Sequence, residues 1–294
     1  MSTLKLFWWA PARDPRLAWP EVKANPDVWL RLAARTGRFA TNFGDELSSH
    51  VVEAVTGRKV KWASPQHADL VAVGSVLGLY ASQGSGAAVW GSGIREPEDA
   101  HESKDLVSKL GPILAVRGVK TRTQLGLSDS VTLGDPGVLA PMFRTPPQTG
   151  QRSVLAIPHF RAWSSPSGRE TLKLLLNSGI KIAEPTLHPK TMIDRICGAS
   201  LVLTSSLHGL ILGHSLGVPT QLVSWNNDGP QEPDFKYADY GSSLNHSIST
   251  VSITEALDPQ KLRVLHENSE KDVNKLATST ALLAEGLVKA IASL

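Results

Sequence analysis

The sequence predicts an α/β protein built from two Rossmann-like domains that face each other across a cleft. Three observations predict it. Short continuous apolar runs each end in glycine or a polar residue, helical segments separate them, and the alternation resumes after a polar, proline-containing break at residues 144–152. A chain of 294 residues also suits two domains of ordinary size better than one simple core. The expected domains are 1–145 and 150–294.

The elements follow in order. The first forty residues read as irregular, interrupted by Pro11, Pro15, Pro20 and Pro26. Asn42-Phe43-Gly44-Asp45 then opens a helix with apolar Leu47, Val51, Val52 and Val55, with Asp45 as its expected N-cap and Gly57 as its stop. Buried parallel strands are predicted at Asp69–Val73, Ala87–Trp90, Ile113–Val116 and Val131–Leu133. After the break, strands are expected at Val154–Ile157, Ile180–Ala183, Leu201–Thr204 and Thr220–Val223. Helices are expected at Arg169–Leu176, Pro189–Cys197 and Leu207–Leu216. Asp258-Pro259, an N-cap and N1 pair, opens a terminal helix over about 258–294.

Composition narrows the function classes. With 41% hydrophobic and 19% charged residues, the chain is globular rather than disordered. The net charge of +3 is spread rather than clustered, which argues against a nucleic-acid partner and suits small anionic substrates. Cys197 is the single cysteine, so an internal disulfide and a multi-cysteine metal site are excluded, in keeping with a cytoplasmic location. No apolar stretch is long enough to span a membrane, and the residues around Lys5 do not read as a signal peptide. Trp8, Trp9, Trp19 and Trp29 crowd the start, where either sugar stacking or core packing would explain them.

In parallel α/β sheets, ligands sit at the carboxyl ends of the strands, and the polar motifs fall there. Thr204-Ser205-Ser206-Leu207-His208-Gly209 joins a strand to a helix, where unpaired N–H groups and the helix dipole favour an anion. His208 lies in the first turn, either as a general acid beside that anion or as a packing residue. Arg117, at a strand end before Gly118, is expected to aim its guanidinium at the cleft mouth. Arg122 lies five residues on, either in the cleft or on the surface. Asn42 and Asp45 could bind sugar hydroxyls or only cap. The loop Gly91-Ser92-Gly93-Ile94-Arg95 lacks the complete dinucleotide fingerprint, and Gly134-Asp135-Pro136-Gly137 reads as a turn.

Taken in order, these motifs resemble the polysaccharide pyruvyl transferase family. The resemblance runs from about residue 40 to residue 225. It rests on Asn42-Phe43-Gly44-Asp45, Gly91-Ser92-Gly93, Arg117-Gly118 with Arg122, Leu133-Gly134-Asp135-Pro136, Ser206-Leu207-His208-Gly209 and Gly217-Val218-Pro219. A weaker echo follows in Lys236-Tyr237-Ala238-Asp239-Tyr240. The resemblance implies a GT-B-like fold with a C-terminal helix packing back on the first domain. It also implies phosphoenolpyruvate as donor and a sugar or glycan acceptor, either free or lipid-linked and then met at the inner membrane face. By motif, His208 and Arg117 take the catalytic positions. Arg117, Arg122, Ser205, Ser206, Gly209, Arg95 and Lys236 are the expected donor- and phosphate-binding set, and Asn42, Asp45 and Asp135 the acceptor set. No cofactor and no metal is expected. Two rivals share the plan: a nucleotide-sugar glycosyltransferase and a non-catalytic glycan-binding protein.

Overall fold

The computed structural model describes residues 3–18, 20–97, 100–144, 153–225, 232–292 and 294. Strands β1 (Leu4–Phe7), β2 (Val60–Trp62), β3 (Leu70–Val71), β4 (Ala88–Trp90), β5 (Ile113–Val116) and β6 (Thr132–Leu133) form one parallel sheet, ordered β2-β1-β3-β4-β5-β6. Strands β7 (Ser153–Ile157), β8 (Lys181–Ile182), β9 (Ala199–Thr204), β10 (Thr220–Ser224) and β11 (Thr250–Ser252) form a second, ordered β11-β10-β9-β7-β8. Both sheets are wound in two directions from their first strand. Strand order therefore reverses between β1 and β3 in one sheet and between β7 and β9 in the other. Such a reversal opens a crevice at the carboxyl ends of the strands.

The N-terminal forty residues correct the sequence reading. They contain β1, second from one edge of the first sheet, and helices at Pro20–Ala24 and Pro26–Thr36. The prolines begin these helices rather than breaking structure. At the first helical position the missing N–H would have had no partner, and φ is already set. The same holds at Pro166, Pro189 and Pro259. Strands β2 and β11, only three residues each, were also absent from the sequence reading. The break at 144–152 lies outside the described residues except for Arg144, whose Nε donates to Asp194 Oδ1 at 2.7 Å.

One apolar core joins the two sheets. Phe43, Leu47 and Val51, from the helix Phe43–Thr56, pack with Leu207, Leu210 and Ile211, from the helix Leu207–Ser215. Residues Leu207–His214 are all buried, so this helix is enclosed on every side and carries no solvent face. The terminal helix Pro259–Ile291 is capped by Asp258, whose carboxylate accepts from the N–H groups of Gln260 and Lys261. It then returns to the first sheet, where Trp90 Nε1 donates to the carbonyl of Leu287 at 3.0 Å. Two Rossmann-like units with a C-terminal helix crossing back give the expected GT-B-like architecture.

Candidate functional site

The crevices of both sheets open on one cleft. Trp9 follows β1, and Ser75 and Val76 follow β3. His159 and Phe160 follow β7, and Ser206, Leu207 and His208 follow β9. Asn42, Asp45, Arg95, Glu232 and Lys236 complete the lining.

Asn42, not Asp45, caps the helix Phe43–Thr56: its side-chain oxygen accepts from Gly44 N–H at 2.8 Å. The cap falls one residue before Phe43, so Asp45 sits within the first turn and its carboxyl lines the cleft. Burial, the largest influence, pushes that carboxyl up to about 7, against the pull of Lys236. Asp135 caps the 3-10 turn Pro136–Met142, with Oδ1 accepting from Gly137 N–H at 2.9 Å. Burial pushes it up to about 6.

The second oxygen of Asp135 faces His208. Asp135 Oδ2 and His208 Nε2 stand 3.9 Å apart, too far for a hydrogen bond, and neither atom has a hydrogen-bond partner among the described residues. Burial lowers the imidazole to about 3, aided by Lys236 and Arg117, so in the empty cleft His208 is neutral. Gly74, with φ at +100°, lets the chain pass close by: a methyl group there would lie 3.1 Å from Asp45 Oδ1 and 3.6 Å from His208 Cε1.

Arg117 is not at the cleft mouth. Its guanidinium is fully buried beneath the cleft, with Nε on Asp239 Oδ2 at 2.9 Å, Nη2 on the Ile94 carbonyl at 2.6 Å and Nη1 on Ser75 Oγ. Gly93 makes room for it, since a Cβ there would lie 2.5 Å from Cζ. Asp239 also accepts from Thr121 N–H and Oγ at 2.8 and 2.7 Å, so this carboxylate pins the helix Val119–Gln124 to the helix Phe235–Ser243. The strand end turns Arg117 inward because a partner 122 residues away neutralises it.

The other predicted residues divide. Arg95 and Lys236 line the cleft, as does Ser206, the N-cap of the helix Leu207–Ser215. Ser205 lies just behind, its Oγ accepting from His159 N–H at 2.9 Å. Arg122 is outside the cleft, paired with exposed Asp129 at 2.8 Å. Gly209 serves packing: a Cβ there would meet Thr204 Oγ1 at 2.3 Å. Of the early tryptophans, Trp8 and Trp29 are buried, Trp9 reaches the cleft and Trp19 lies outside the described residues.

His159, Arg161 and Glu232 escaped the sequence reading. His159 and Arg161 directly follow β7, so the strand-end rule that selected Ser206 and His208 would have selected them too. Arg161 Nη1 and Arg95 Nη2 reach Glu232 Oε1 at 2.9 and 3.1 Å, and Lys236 Nζ bonds Oε2. Among the described residues no cluster of His, Cys, Asp and Glu is suited to hold a metal ion, and no helix is long and apolar enough to cross a membrane. The arrangement offers concentrated positive charge, a helix N-terminus and three buried proton-exchanging groups in one cleft.

Comparison with solved structures finds the rhamnosyltransferase SpnG, with spinosyn aglycone and with thymidine diphosphate. Each match has 12% identity and a TM-score of 0.33, covering 95% of this chain and 81% of that one. No curated relative matches the chain. The sequence model of the polysaccharide pyruvyl transferase family matches residues 6–227, from within the first strand to beyond the His208 turn. The chain is therefore a transferase of the polysaccharide pyruvyl transferase family.

Proposed function

We propose that the protein transfers the enolpyruvyl group of phosphoenolpyruvate to two hydroxyls of one sugar, forming a pyruvate ketal in a cell-surface glycan or its precursor. The observation that carries this reading is the shared cleft, in which His208 lies within reach of the Arg95–Lys236 cation group and the Ser206 helix N-terminus. The donor is an anion with a protonatable methylene carbon, and the cleft provides for both features.

In this reading the donor's phosphate and carboxylate meet Arg95, Lys236 and the first N–H groups of the helix Leu207–Ser215. Their negative charge raises the His208 pKa, and Asp135 stands ready to stabilise the imidazolium. His208 then gives its proton to the methylene carbon, and positive charge develops at C2. A sugar hydroxyl attacks C2 and loses its proton to Asp45, whose raised pKa suits exchange near neutrality. The C–O bond to phosphate breaks, and a second hydroxyl closes the ketal. Arg117 acts from below as a positioning charge, holding Ser75 and Asp239 rather than the donor. Asn42 is left as a rim contact for the acceptor.

The test is phosphate release from phosphoenolpyruvate in the presence of acceptor glycan. His208→Gln is expected to lower the rate by about 10²–10⁴-fold. Undiminished activity in that variant would remove the proposed acid. Tight binding of a nucleoside diphosphate sugar with indifference to phosphoenolpyruvate would favour a glycosyltransferase instead.

A further inference from the structure

The positive charge of the cleft converges on one internal carboxylate. Glu232 Oε1 lies 2.9 Å from Arg161, 3.1 Å from Arg95 and 3.5 Å from His159 Nε2, while Oε2 bonds Lys236. Arg95 also approaches the exposed Glu96 at 3.6 Å. The Glu232 side chain is only 10% exposed. Burial alone would raise its carboxyl, but the positive charges of Lys236, Arg95 and Arg161 hold it well below the usual range, so it stays ionised. Burial pushes His159 down to about 3, which leaves that imidazole neutral. Arg95, Arg161 and Lys236 thus all converge on the Glu232 carboxylate.

Glu232 stands on the wall between the cleft and a second cavity lined by Arg161, Ser205, Trp225 and Tyr237. Its carboxylate occupies the point where Arg95, Arg161 and Lys236 converge. We infer that Glu232 is a built-in stand-in for the donor's anionic group and sets the cleft's selectivity for ligands carrying two such groups. A ligand with a single carboxylate offers the cations nothing that Glu232 does not already give them. A ligand with two anionic groups replaces Glu232 with one and reaches the Ser206 helix N-terminus with the other. Selectivity then arises by competition with an internal rival as well as by attraction.

This inference rests on the reading that the cleft binds the donor's anions, but its test needs neither acceptor nor turnover. Calorimetry would compare pyruvate, inorganic phosphate and phosphoenolpyruvate on the wild type and on the near-isosteric Glu232→Gln. The variant is expected to bind pyruvate at least about tenfold more tightly than the wild type, so that the preference for phosphoenolpyruvate over pyruvate narrows. A folded variant that binds all three anions more weakly, or keeps the wild-type ratio, overturns the inference. Should the Gln variant fail to fold, Glu232→Asp retracts the carboxylate by one methylene and keeps the charge. The same narrowing is expected there, and an unchanged ratio counts against the inference. Failure of pyruvyl transfer itself would show separately, as wild-type protein that binds these anions yet releases no phosphate with acceptor.

Discussion

The imidazole of His208 lies against the backbone of Gly44, so close that a Cβ at Gly44 would stand 2.0 Å from Nδ1 and 2.4 Å from Cγ. The contact joins two motifs 164 positions apart, Asn42-Phe43-Gly44-Asp45 and Ser206-Leu207-His208-Gly209. It explains why the first motif carries glycine inside a helix, where glycine costs about 1 kcal/mol relative to alanine. The glycine is the seat of the imidazole.

Gly44→Ala is therefore expected to push His208 out of place while favouring the helix locally. Displacing a reacting group by about 1 Å can cost on the order of 10²-fold in rate. Phosphate release should fall by about that factor, with circular dichroism unchanged. Wild-type rates in a folded Gly44→Ala protein would mean that the position of the imidazole does not matter.

A second prediction concerns Arg117 and Asp239, both fully buried and paired at 2.9 Å. Asp239→Ala would leave the guanidinium buried without its counter-charge and remove both acceptors of Thr121. Loss of one partner of a buried pair typically costs about 3–5 kcal/mol. Chemical denaturation should show a loss of that size. A loss below about 1 kcal/mol would show that the pair does not hold these helices together.

Stability should also depend on pH in a definite direction. Burial lowers His50 to about 4 and His159, His208 and His214 to about 3, from an ordinary 6.5. Their stabilising contribution is complete above 6.5 and is lost as pH falls through the folded values. Asp45 and Asp135 act oppositely: raised to about 7 and about 6 from 3.8, they favour the fold below 3.8 and lose that advantage as pH rises through the folded values. Four imidazoles outweigh two carboxyls on the acid side. Thermal stability should be highest at and above about pH 7 and fall steadily toward acid. A melting temperature that rises steadily from pH 6 down to pH 4 would contradict these assignments.

The sequence by itself determined most of the scaffold and the identities of the cleft-facing turns. Apolar runs such as Ile113–Val116 and Leu201–Thr204 mark buried parallel strands, because only such strands are apolar on both faces. Asp258-Pro259 marks the terminal helix, because capping is local chemistry. The edge strands β2 (Val60-Lys61-Trp62) and β11 (Thr250-Val251-Ser252) carry polar residues and form no continuous apolar run, which is why the pattern does not mark them. The tertiary structure alone decided the direction of each charge. Arg117 directly follows β5 and Arg95 lies in the loop after β4, yet the first is buried against Asp239 and the second faces the cleft. Asp45 differs from an ordinary capping carboxylate only through its surroundings. A side chain's charge is written in the sequence, but its burial and its partner come from residues more than a hundred positions away, and those two quantities fix whether it binds, titrates or merely holds the fold.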